Sequence, residues 1–168
     1  MKRKILVVTA LACLFLLAPM ILTASAAQPK QTTVASGVGV FVHDHEGISH
    51  NHYFVFGISS ASKSPQGHFS LVCKHGDQIE TIIFSTQINS FSVTPVQGGL
   101  RADFSGSALV KMGVADFTSG WTFEVVAFDF GKGSDSIGVT LIDSQGQVHC
   151  MAEPTQLASG NINIKANL

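Results

Sequence analysis

The sequence predicts an all-β fold: a single antiparallel β-sandwich, or a closed or partly open β-barrel, of about ten short strands behind a signal peptide. Three observations carry this. Beyond residue 34 helical periodicity is nearly absent, and apolar residues alternate with polar ones in short runs. Turn residues such as Ser64-Pro65-Gln66-Gly67 and Asp143-Ser144-Gln145-Gly146 punctuate these runs every 8 to 12 residues or so. Only 12% of the residues are charged, whereas Gly, Ser, Thr, Val, Ile and Phe are abundant.

The N-terminus has the order of a secretory signal. Met1-Lys2-Arg3-Lys4 is basic, Ile5 to Leu22 is apolar apart from Thr9 and Pro19, and Thr23-Ala24-Ser25-Ala26-Ala27 supplies small residues for cleavage after Ala26. Residues 1–26 are read as the signal peptide, 27–34 as a disordered lead-in and 35–168 as one secreted domain. An uncleaved run would be long enough to act as a membrane anchor, which is the alternative reading. No other segment is apolar enough to span a bilayer as a helix. Removing Lys2, Arg3 and Lys4 leaves seven basic against eleven acidic residues, with no basic patch, which argues against nucleic acid and anionic lipid as partners.

The strands follow in order. Gly37 to His43 presents Val38, Val40 and Val42 on one face, and His52 to Ser59 sets Phe54 and Phe56 against Tyr53 and Val55. Strands then follow at His68 to Lys74, Ile79 to Phe84, Ile88 to Thr94, Leu100 to Val110 and Trp121 to Phe130. Ser136 to Ile142, Gly146 to Met151 and Asn161 to Lys165 complete the ten. Ala35-Ser36-Gly37 and Ala158-Ser159-Gly160 punctuate the first and last strands alike, which suits two strands lying side by side and sealing the sheet. Tyr53 and Trp121 sit in apolar runs and are read as core residues rather than sugar-stacking platforms.

Several of these segments together resemble a small secreted bacterial module of the post-choice-of-anchor (post-COAP) type, found alone or behind other exported domains. They are Ser36-Gly37-Val38-Gly39, Tyr53-Phe54-Val55-Phe56-Gly57, Gly67-His68-Phe69, Ala102-Asp103-Phe104-Ser105-Gly106, Phe123 to Gly131, Asp135-Ser136-Ile137 and Ser159-Gly160-Asn161-Ile162. The resemblance covers nearly all of the chain after the signal. It implies a β-rich extracellular accessory module with no established activity, and it supplies no site residues. The chain departs from that pattern at the histidine-rich connection and at Gly131-Lys132-Gly133, where a Pro-Gly turn is more usual.

That connection, His43-Asp44-His45-Glu46-Gly47-Ile48-Ser49-His50-Asn51-His52, holds four of the seven histidines. If residues 46–49 form a four-residue loop, His45 faces His50 and His43 faces His52, and all four imidazoles project from one face of the ribbon. Opposed Cβ atoms would lie about 5 Å apart, which suits imidazole ligation of Zn or Cu. A one-residue slip would scatter the set. Two other readings stay open: a surface that resists charging near pH 6, and a plain solvated hairpin tip. The His-x-His spacing is also that of copper-zinc superoxide dismutase, but no second motif supplies the further ligands that enzyme needs.

Cys73 and Cys150 remain after the signal. An exported chain permits a disulfide between them, closing a loop of 78 residues and worth about 4 kcal/mol in a chain-entropy account. The alternative is two buried thiols. Asp129-x-Gly131-x-Gly133-x-Asp135 has two carboxylates around glycines, too few oxygens for a calcium loop, and reads as a structural turn. There is no Gly-x-Ser-x-Gly elbow, phosphate loop or His-Glu-x-x-His segment. The sequence therefore points first to a non-catalytic extracellular interaction or structural module whose partner is a protein, a glycan or a cell-surface component. The alternative is a secreted metal-binding protein using His43, His45, His50 and His52 with Zn or Cu. An enzyme with an unrecognised pocket is the third.

Overall fold

The computed structural model describes residues 32–45, 47–60, 64–131 and 133–166, so the expected signal peptide and most of the expected lead-in lie outside the described residues. Among the described residues eight antiparallel strands form one closed barrel in sequence order. They are β1 (Val34–His45), β2 (Ile48–Ser59), β3 (Gln66–His75), β4 (Gln78–Val96), β5 (Gly99–Met112), β6 (Thr118–Asp129), β7 (Ser136–Ile142) and β8 (Val148–Lys165). β1 opens at Val34, the last residue of the expected lead-in. No helix among the described residues is long and apolar enough to cross a membrane.

The architecture is a barrel, not a sandwich, and it has eight strands rather than ten, because two pairs of expected strands are fused. Ile79 to Phe84 and Ile88 to Thr94 belong to β4, which bends at register shifts between Ser85 and Gln87 and between Ile88 and Ser90 without ending. A bulge inserts an extra residue and bends the strand, as curvature into a barrel requires. Likewise β8 joins Gly146 to Met151 with Asn161 to Lys165. Its first half pairs with β7 and its second half with β1. Pro154 falls where the β7–β8 register slips between Ile137 and Val139, a place where a missing donor N–H breaks no ladder bond.

The first and last strands meet as their matching punctuation suggested. Gly37 pairs with Ile162 and Gly39 with Gly160, so no strand edge is left open. At the end opposite the β1–β2 hairpin, the carboxylates of the glycine-rich turn staple this closure. Asp135 is buried, and its two oxygens accept the N–H groups of Phe130 (3.2 Å) and Ile162 (2.7 Å). Asp129 accepts those of Gly131 (3.1 Å) and Ile164 (2.9 Å). All four oxygens are committed to backbone donors, in keeping with the structural reading of this turn.

The interior is aromatic. Phe56 meets Phe104 at 5.1 Å between ring centroids and Phe69 meets Phe123 at 4.9 Å. Glycines make room for these rings: a Cβ on Gly106 would lie 2.7 Å from Phe123 Cζ and 2.1 Å from the Gln87 carbonyl oxygen. Trp121 packs half-buried against the core, whereas Tyr53 does not enter it. Tyr53 stands on the outer face, 44% exposed, with Lys74 Nζ 5.4 Å from its ring centroid.

Candidate metal centre in the barrel mouth

In an up-and-down barrel the β1–β2, β3–β4, β5–β6 and β7–β8 turns share one end. Toward that end the inward-facing residues change character. Along β1, Phe41 is followed by His43 and His45; along β2, Phe54 is preceded by His52 and His50; along β3, Phe69 and Leu71 lead to Cys73. The apolar core thus gives way to nitrogen and sulfur donors around a cavity of about 230 Å³.

All four predicted histidines line this cavity, but in a different register from the expected one. His43 pairs with His50, His45 with Ile48, and His52 lies opposite Phe41. The loop is two residues long, Glu46-Gly47, with Gly47 at φ 81°, the left-handed conformation that tight hairpin turns demand. Glu46 itself lies outside the described residues. The pairing has slid by two positions, and an even slide keeps every side chain on its own face. Convergence therefore survives, while depth changes. His52 moves down into the core, 2% exposed, with its ring stacked on Phe41 at 4.6 Å and 7°.

The tightest donor set combines strands that the hairpin reading did not connect. His50 Nδ1, Cys73 Sγ and a Glu80 carboxylate oxygen all lie within 4.8 Å of one another. His50 Nδ1 is 2.8 Å from Glu80 Oε2, and Cys73 Sγ is 3.9 Å from His50 Nδ1 and 3.8 Å from Glu80 Oε2. His52 Nε2 joins from below, 3.9 Å from the same sulfur. Tetrahedral zinc with bonds of 2.0–2.3 Å holds its donors roughly 3.3–3.8 Å apart; the two sulfur spacings lie close to that range, whereas the 2.8 Å His50–Glu80 contact is a hydrogen bond that an ion would have to open. His43 and His45 stand further out on the wall. Their rings are 6.5 Å apart, and that of His43 is 6.2 Å from His52.

Glu80 reaches the cavity because of a bulge. Cys73 pairs with Thr81 and Lys74 with Ile79, which leaves Glu80 as the extra residue between them. Glu80 and Thr81 consequently both line the cavity, against the alternation of the strand. Simple period-two reading cannot find such a residue. Cys73 was legible, since it follows Phe69 and Leu71 on the inward face. His75 also approaches Glu80, at 3.9 Å. On the opposite wall His149 is held by Asp143 at 2.7 Å and packs edge-on to Trp121 at 4.9 Å. Asp143 is lowered below the usual carboxylate range, first by that bond to His149 and then by the Gln147 N–H.

The electrostatics suit a cation. Burial, then the neighbouring charges of His43 and His50, lower His52 to about 4, so its ring is neutral at ordinary pH and free to ligate. Its Nδ1 has no hydrogen-bond partner among the described residues. Burial, then Cys150 and Glu80, push the Cys73 thiol up to about 12. A bound metal ion reverses this second effect, because a coordinating thiol loses its proton. Cys73 and Cys150 are free thiols here, not a disulfide, and both line the cavity.

Fold and site together define a small closed antiparallel barrel with a mixed nitrogen, sulfur and oxygen donor cluster in one mouth. No protein family, curated protein or solved structure matches the chain.

Proposed function

We propose that this chain is an exported, non-catalytic metal-binding barrel, and that His50, Cys73 and Glu80, with His52 as the fourth donor, hold one zinc or copper ion in the mouth. The carrying observation is the convergence of three chemically different donors from β2, β3 and β4 within 4.8 Å. Relative to the expected ligand set, His50 and His52 are kept, Cys73 and Glu80 are added, and His43 and His45 become cavity wall. Thiolate with imidazole favours Zn or Cu over the hard, oxygen-seeking ions.

The test is elemental analysis and thermal melting of protein purified without a histidine tag. Near-stoichiometric zinc or copper, and a melting temperature raised by adding it, are expected, since any ligand of the native state stabilises that state. Cys73→Ser and Glu80→Gln should abolish the shift while His43→Ala and His45→Ala retain most of it. A shift untouched by Cys73→Ser would move the ion elsewhere.

An interaction role with an extracellular protein, glycan or cell-surface component is a second reading that does not compete with the first. It is favoured by the outer face of β1 and β2, where Val38, 61% exposed, pairs with exposed Val55, and Tyr53 stands beside them. The resemblance to the post-COAP module agrees with such a role. Glycan-array binding lost in Tyr53→Ala would support it, and an array blank for the wild type would remove the glycan version.

A further inference from the structure

His43 and His45 line the mouth but stand outside its tightest donor set. They are nevertheless part of an unbroken chain of imidazoles. Ring centroids are 6.5 Å apart from His45 to His43, 6.2 Å from His43 to His52, 6.5 Å from His52 to His50 and 5.6 Å from His50 to His75. With zinc–nitrogen bonds of about 2.0–2.1 Å, two rings on one ion have centroids roughly 5 Å apart at a tetrahedral angle and roughly 6.5 Å apart as the angle opens toward linear. Each neighbouring pair therefore stands at a separation that one ion can span. From His45 inward the chain also follows a gradient of burial. His45 is exposed, His43 is half-buried and His52 is buried. At its inner end His52 is stacked on Phe41, and its Nε2 lies 3.9 Å from the Cys73 sulfur. The rim thus offers two imidazoles, and the inner end adds sulfur and carboxylate.

We propose that His45 and His43 form the loading limb of the mouth: they take a metal ion over from a small chelating carrier and pass it to His52 and the donors beyond. The inference rests on the metal-binding reading above, and it assigns these two histidines to transfer rather than retention. His45, the exposed ring, displaces one ligand of the incoming complex. His43 takes a second position, and the carrier's remaining ligands leave to solvent. In each step one metal–nitrogen bond forms as a bond to the previous ligand breaks. The ion keeps its charge throughout, and no oxidant or reductant takes part. Capture at the rim makes the final transfer intramolecular, at the high effective concentration that a short tether gives. The inward step is downhill because the destination holds more donors and one of them is sulfur, which suits zinc and copper. A limb of this kind fits a barrel that acquires its ion by ligand exchange from a labile complex.

The experiment mixes reduced, untagged protein with zinc held by a chromogenic pyridylazo chelator and follows loss of the complex's colour by stopped flow. A double variant, His43→Ala with His45→Ala, should load on the order of tenfold more slowly than wild type and reach the same final distribution of zinc. His68→Ala removes a histidine near the other end of β3, where it pairs with Gly57, and should load at the wild-type rate. Melting curves of the metal-free variants check folding, and His43→Gln with His45→Gln replaces the alanine pair if that pair fails to fold. Loading of the double variant at the wild-type rate overturns the limb and leaves the metal site standing. A final distribution shifted back toward the chelator overturns it too, because the two histidines would then be permanent ligands. Equal slowing in His68→Ala overturns it by assigning the effect to any surface imidazole. A wild type that binds added free zinc but takes none from the chelator also overturns the limb alone. A wild type that binds no free zinc overturns the metal-binding reading itself, and the limb with it.

Discussion

At the scale of single residues, the consequences of the register are sharpest at His52. Sequence alternation placed it on the same face as the other three histidines, and it is there. Its depth was not legible, because depth follows from loop length, and two-residue and four-residue loops satisfy the same alternation. Lying opposite Phe41 rather than His43, it is buried, and burial lowers it from 6.5 to about 4. The unfolded chain thus binds this proton at a higher pH than the native chain. Stability of the metal-free protein is fully present above pH 6.5 and falls as pH drops toward 4, by about 3 kcal/mol if this shift acts alone. Denaturant titrations of metal-free protein between pH 7 and 4.5 should show this decline, and His52→Phe should flatten it. An equally steep decline in the variant would assign the effect to other groups. Glu80 marks the opposite limit. Its inward position depends on a bulge that no local pattern announces, so the residue completing the donor set was invisible until the pairing was known.

At the scale of elements, the strands were legible and their ends were not. Alternation set Phe54 and Phe56 on one face against Tyr53 and Val55, and that phenylalanine face is the buried one. Ser85-Thr86-Gln87 and the stretch around Pro154, however, read as breaks where the chain only bulges. Polar residues on a strongly bent strand look like a loop in sequence, because bending exposes them just as a turn would. Two substitutions test the element-level account. Gly106→Ala drives a Cβ against the Gln87 carbonyl and the Phe123 ring, and should destabilise by about 3 kcal/mol through forced displacement of a packed aromatic. Asp135→Ala strips the acceptors from the Phe130 and Ile162 N–H groups where β8 seals against β1, and should also cost about 3 kcal/mol. Equilibrium unfolding in urea measures both, and changes below about 1 kcal/mol would mean that these contacts contribute little to the closed barrel.

At the scale of the whole molecule, the barrel is divided along its axis. Toward one end carboxylate staples tie β8 to the glycine-rich turn, and at the other a cavity is lined by His, Cys and Glu side chains. Closure was suggested by the matched Ala-Ser-Gly segments, and the pairing of Gly39 with Gly160 realises it. The grouping of donors from β1 to β4 and from β8 was only partly legible, because closure is what brings Cys150 and His149 to the same mouth as the hairpin. The division explains how one small chain combines a rigid support with a polar site, since the core below fixes the strands on which the donors stand. The central claim is that this mouth binds a metal through a sulfur ligand. The most direct measurement is titration of the reduced, untagged protein with cobalt(II), followed by its absorption spectrum. The account predicts a near-ultraviolet sulfur-to-cobalt charge-transfer band that saturates at one equivalent and is missing in Cys73→Ser. A wild-type spectrum without that band, or an unchanged band in Cys73→Ser, would contradict it.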